Sequence, residues 1–143
     1  MKTKFSQLVK VKKRKVDEIE SELLDIQNQK RRVESEIESI LQEIRELKTP
    51  QNGDFAKLNL SYSYLSNFSN QKKSKEEELI KIDNQIEVIK ELYKEANIEY
   101  EKIKYLDEQE IKKQLEELKI KENKDMDEIA NLLHAKKIIE EEV

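Results

Sequence analysis

The stretch Thr49-Pro50-Gln51-Asn52-Gly53-Asp54 holds the only proline and the only glycine of the chain. Proline pushes the residue before it out of the α region and costs about 3 kcal/mol inside a helix. With no comparable punctuation elsewhere, the chain can fold back on itself only here, so this turn decides which residues can meet.

On its N-terminal side, Val16, Ile19, Leu23, Ile26, Lys30, Val33, Ile37, Ile40, Ile44 and Leu47 recur in alternating steps of three and four. Nine of the ten are apolar against a background of 36% hydrophobic residues, and Lys12, Val9 and Phe5 extend the row toward the N-terminus. That is the heptad signature of a coiled-coil helix. After the turn, Asp54 reads as an N-cap. Leu58, Leu60, Tyr62 and Tyr64 alternate with polar residues as a strand would, while Phe55, Leu58, Tyr62 and Leu65 step as a helix. Helix is preferred, because no second strand exists to pair with.

From Leu79 the pattern is clean through Ile82, Ile86, Ile89, Tyr93, Ala96, Tyr100 and Ile103. Asp107 takes the next position, and Ile111, Leu115 and Leu118 follow with steps of four, four and three, a stutter that loosens a left-handed supercoil. Met126, Ile129, Ala130 and Leu133 make a last stripe. The expected fold is all-α: one domain over residues 1–143, a long antiparallel two-helix coiled-coil hairpin with an overhanging second helix. Helix 1 covers about 5–48, the turn 49–54, and helix 2 about 55–139.

The composition agrees. Of 143 residues 42% are charged and 6% aromatic, with no Trp and a net charge of -4, which fits a narrow apolar stripe on solvated helices. No Cys is present, so disulfides, thiolate metal sites and Cys nucleophiles drop out together. No run approaches the roughly 18 apolar residues of a membrane span, and the basic start is not followed by a signal-peptide core.

At 1.5 Å per residue helix 1 spans about 65 Å and helix 2 about 125 Å, so they cannot match in length. With Lys48 opposite Phe55, Phe5 comes opposite about Ile98. The basic run Lys10 to Lys15 then lies beside Glu87, Glu91 and Glu95, and Lys30 to Arg32 beside Lys72, Lys73 and Lys75. The apolar residues Ile103, Ile111, Leu115, Leu118, Met126, Ile129 and Leu133 are left without an intrachain helix. Each is worth about 1.5–3 kcal/mol if buried, so the overhang implies a partner: another copy, another protein, or the cavity of a ring.

No catalytic residue, metal ligand or cofactor is expected. His134 is the only histidine. Glu76 to Glu78 and Glu140 to Glu142 are consecutive on a helix and point in different directions. One glycine makes no phosphate-binding loop. Lys10 to Lys15 suits nucleic acid or an anionic membrane in charge, but Val9, Val11 and Val16 interleave with it, so neither is the preferred reading. At the turn end, Tyr62, Tyr64 and Phe68 cannot all share the one stripe a two-helix hairpin hides, so some ring faces outward as a docking element near Leu41 and Ile44.

Residues at both ends resemble a family. Lys4-Phe5-Ser6-Gln7-Leu8-Val9 followed by a basic helix, a tip rich in Tyr and Leu, Leu115-Glu116-Glu117-Leu118, and Lys124-Asp125-Met126-Asp127-Glu128-Ile129-Ala130 are together similar to the flagellar export protein FliJ family. The resemblance implies a non-enzymatic cytoplasmic stalk or chaperone of the flagellar type III export apparatus, working at the cytoplasmic membrane face. It implies an export ATPase of the FliI type as partner for the helix termini: Phe5, Val9, Ile111, Leu115, Leu118, Met126, Ile129 and Leu133. It implies an export gate protein of the FlhA type or escort chaperones for the tip: Leu41, Ile44, Tyr62, Tyr64, Leu65 and Phe68. The family's closing residues are expected to be more basic than Glu140-Glu141-Glu142. The competing reading is a self-associating coiled-coil scaffold or adaptor, a homo-oligomer unrelated to export. No small-molecule substrate is expected on either.

Overall fold

The computed structural model describes residues 1–47 and 55–142. The turn Thr49 to Asp54, the Asp54 cap and Lys48 as the last residue of helix 1 therefore lie outside the described residues. Two helices account for almost all of the rest, α1 (Ser6–Glu46) and α2 (Phe55–Glu142). Residues 58–64 are helical within α2, so the three-and-four stepping prevails over the strand-like alternation. The chain divides into two compact units, Lys15–Asn97 and Met1–Arg14 with Ile98–Val143.

In the unit Lys15–Asn97 the helices run antiparallel, because Lys30 pairs with Asp83 while the later Glu36 pairs with the earlier Lys75. Val16, Ile19, Ile26, Val33 and Ile40 are buried on α1, and Ile82, Ile86 and Ala96 on α2. All eight belong to the heptad rows read from the sequence, and Leu23, Lys30, Ile37, Ile44 and Leu47 on the α1 row are half-buried. The densest packing joins Ile26, Val33, Ile82 and Ile86, with Leu23, Ile37, Leu79 and Ile89 against them. Each helix thus buries one stripe and leaves the rest to water, as a chain with this charge content must.

The register differs from the expected one by about one heptad. Lys30 lies 2.9 Å from Asp83 and 3.9 Å from Glu34, not beside Lys72 to Lys75, and Lys75 lies 2.7 Å from Glu36 and 3.5 Å from Glu78. A slip of seven residues keeps apolar rows facing each other, so periodicity cannot choose between the two alignments. The polar positions can. The expected alignment stacks lysine on lysine on the seam, and the observed one gives each lysine a carboxylate. The like-charge layer expected near Lys30 is absent from the unit.

Those pairs also set a pH dependence. Hydrogen bonding to Asp83, then its charge, raises Lys30 above the ordinary lysine value of 10.5. Hydrogen bonding to Glu36 raises Lys75 in the same way. A lysine raised in the folded state stabilises below its unfolded pKa, and that contribution is lost as pH rises through the folded value. We expect a fall in melting temperature above about pH 10.5, and a shallower fall in Lys75→Met; thermal melts followed by circular dichroism from neutral to strongly alkaline pH measure both. Because both side chains are well solvated the effect is small.

In the unit Met1–Arg14 with Ile98–Val143, Thr3 lies just before α1 and caps its start. Its hydroxyl accepts from the Phe5 backbone N–H at 3.0 Å, the Ser6 hydroxyl accepts from the Thr3 N–H at 2.8 Å, and the Ser6 N–H reaches the Thr3 carbonyl at 3.2 Å. This reciprocal arrangement satisfies donors that a helix start would otherwise leave unpaired. The Thr3 hydroxyl also donates to the Asp107 carboxylate, which explains an acid on the apolar row of α2. Lys12 pairs with Glu99 at 2.9 Å, and the Lys13 ammonium lies 5.5 Å from the Tyr100 ring centre. Glu99 and Tyr100 are thus neighbours of Lys12 and Lys13 within this unit. Phe5 was expected opposite about Ile98, whereas Thr3 reaches Asp107. Ile103 and Ile111 are accordingly half-buried, which corrects the expectation that both lack an intrachain neighbour, while every residue from Leu115 to Glu142 is exposed.

Candidate functional site

Two groups of exposed apolar side chains stand out, one in each unit. In Met1–Arg14 with Ile98–Val143, the expected ring-end residues divide into two sets. Phe5, Val9 and Ile111 are half-buried. Leu115, Leu118, Met126, Ile129 and Leu133 are 46–66% exposed. The sequence reading missed Leu132 at 70% and Ile139 at 64% exposure. Their signal was available: Leu118, Glu122, Asp125, Ile129, Leu132, Lys136 and Ile139 alternate steps of four and three, a heptad row resumed after the stutter. Its acids and its lysine hid it from a count of apolar residues.

Charges of both signs accompany this row. Lys119, Lys121 and Lys124 lie along its first half, Asp127 and Glu128 beside its middle, and Lys137 and Glu140 to Glu142 at its end, with Glu122, Asp125 and Lys136 on the row itself. Three or four residues of separation keep the row on one side of the helix, so apolar side chains and these charges belong to the same surface. His134 lies in this exposed helical stretch.

In Lys15–Asn97 the expected tip residues do not form one patch. Leu41, Ile44 and Phe68 are half-buried, whereas Leu65, Tyr64 and Tyr62 are 40%, 51% and 62% exposed. Residues two apart on a helix do not share a face, so Tyr62 and Tyr64 point apart. Each has a neighbour the sequence reading left out. Phe55, 77% exposed, lies two turns before Tyr62 on its row, and Leu60, 52% exposed, lies one turn before Tyr64. Following the Glu36–Lys75 pair outward residue for residue, the last turn of α1 comes opposite about residues 65–68 of α2. The first turns of α2, with Phe55, Leu60, Tyr62 and Tyr64, therefore have no α1 residue opposite them within the described residues.

One surface hollow among the described residues is apolar and lined by Asn84, Gln85, Val88 and Ile89. Among the described residues, no three His, Asp or Glu side chains converge as a metal group would require. No helix among them is long and apolar enough to cross a membrane. What the side chains can do is bury apolar surface against a partner at either place.

No curated protein and no solved structure matches the chain. The family model of the flagellar FliJ protein matches residues 1–138. Because that match covers nearly the whole length, the chain belongs to the flagellar FliJ protein family, a non-catalytic component of the flagellar export machinery.

Proposed function

We propose that the chain is a stalk and chaperone-like component of the export apparatus. Its termini engage the ring of an export ATPase of the FliI type, and its tip engages a gate protein of the FlhA type or escort chaperones. The observation that carries this reading is that, besides exposed apolar residues scattered along both helices such as Leu24, Ile80 and Val88, two groups of them are concentrated after Gln114 and at the start of α2, in a FliJ-family chain. A coiled coil of this kind offers contact surface instead of a reaction centre. The site reading for the ring end keeps Phe5, Val9, Ile111, Leu115, Leu118, Met126, Ile129 and Leu133, of which the five exposed residues are the main contacts. For the tip, Tyr62, Tyr64 and Leu65 are joined by Phe55 and Leu60, while Leu41, Ile44 and Phe68 support them.

The tip has a direct test. Tyr62→Ser with Phe55→Ser removes two exposed rings on one row. The melting temperature is expected to stay within about 3 °C, as for most surface changes. Binding to the cytoplasmic domain of the gate protein, measured by titration calorimetry, is expected to weaken about tenfold or more. Unchanged affinity would remove this row from the site, and the same measurement on Leu60→Ser with Tyr64→Ser tests the other row.

A further inference from the structure

The exposed row from Leu118 to Ile139 has a pattern that favours one occupant. We propose that it pairs with the same row of a second copy of this chain, antiparallel, about a two-fold axis between Ala130 and Asn131. Ile129 then faces the partner's Leu132, and Met126 faces the partner's Leu133. All four side chains are more than half exposed in the single chain, so their contact removes apolar surface that nothing else in the unit covers. In an antiparallel two-stranded coiled coil the two kinds of core position alternate across each layer, as they do here.

Charge selects the direction and the alignment. Asp125 on the row faces the partner's Lys136, Lys119 flanks the partner's Glu140, and Lys121 flanks the partner's Glu142. The axis generates each pair twice. Parallel pairing would instead stack acid on acid at Asp125 and lysine on lysine at Lys136, the row positions that face their own copies. Slipping the antiparallel alignment by one heptad sets Glu128 beside the partner's Glu128 and Asp125 against apolar Ile129. The proposed alignment sets Glu122 against the partner's Ile139, but of the three it alone pairs Asp125 with Lys136 on the row, and it gives Glu140 and Glu142 basic counterparts. The pairing covers Met126, Ile129 and Leu133, so a paired chain would be unable to use them at an ATPase ring; that consequence alone rests on the function proposed above.

The chain has no cysteine, which makes the geometry easy to read by cross-linking. Lys119→Cys and Glu140→Cys, mixed as full-length chains with a short bis-maleimide, are expected to cross-link to each other and not to themselves. In the proposed dimer two copies of position 119 lie about 30 Å apart along the axis. Self-cross-linking of either variant at the rate of the mixture, or no cross-link in the mixture, overturns the proposal. Sedimentation equilibrium is the second readout. The unaltered chain is expected to show a concentration-dependent monomer–dimer equilibrium. Asp125→Lys alone and Lys136→Asp alone are each expected to raise the dissociation constant about tenfold, and the two together to restore it to within about threefold. A chain that stays monomeric at the highest concentration, or a double exchange as weak as either single one, contradicts it. Neither assay contains an ATPase, so failure here is distinct from failure of the proposed function.

Discussion

Replacing Ile82 by Ala is expected to destabilise the protein by about 2–4 kcal/mol and to lower its melting temperature by roughly 8–15 °C. Ile82 is 6% exposed and packs in the densest part of the unit Lys15–Asn97, with Ile26, Val33 and Ile86. A two-helix seam has no second layer to collapse into the space left by the lost side chain, so the burial of neighbouring residues falls too. The internal control is Ile80, two residues away and 61% exposed. Ile80→Ala removes a side chain that already faces water and adds a better helix former, so it should be neutral or slightly stabilising. Equal losses at the two positions, in thermal or urea melts followed by circular dichroism, would mean that the seam is misassigned.

Ending the chain after Gln114 is expected to leave the rest folded while abolishing capture by an export ATPase of the FliI type. The boundary follows from burial. Thr3 is tied to Asp107, Ile111 and Gln114 are half-buried, and every residue from Leu115 to Glu142 is exposed. Removing residues that bury nothing should change the melting temperature by no more than about 3 °C. It also removes Leu115, Leu118, Met126, Ile129 and Leu133, the five exposed residues proposed for the ring end. Loss of that much contact surface predicts a fall in affinity of about a hundredfold or more by surface plasmon resonance. A shortened chain that melts outright would contradict the burial reading, and one that still binds would move the ATPase contact elsewhere.

The architecture was legible in the sequence because an apolar row with alternating three- and four-residue steps has only one cheap solution, a helix against another helix. Val16, Ile19, Ile26, Val33 and Ile40 were all read on one row and are all buried. The alignment between helices was not legible from that row, since sliding one heptad preserves it. Lys30 with Asp83 and Lys75 with Glu36 carry the information, and they are informative only when polar seam positions are matched by charge instead of being treated as interruptions. The same habit concealed Asp107, whose partner Thr3 lies over a hundred residues away, and the row through Asp125 and Lys136. At the tip, alternation drew attention to Tyr62 and Tyr64 together, although a helix sends them apart. Phe55 and Leu60, which share their rows, carry as much exposed surface.

A stalk of the kind proposed would sit on the axis of the ATPase ring instead of binding it subunit by subunit. The most direct test titrates the full-length chain into the assembled export ATPase and follows nucleotide turnover together with bound mass by light scattering. An axial stalk predicts that turnover rises and that binding saturates at about one chain per hexamer, because a ring has a single axis. Saturation near one chain per ATPase subunit, or no change in mass and turnover at any ratio, would contradict it.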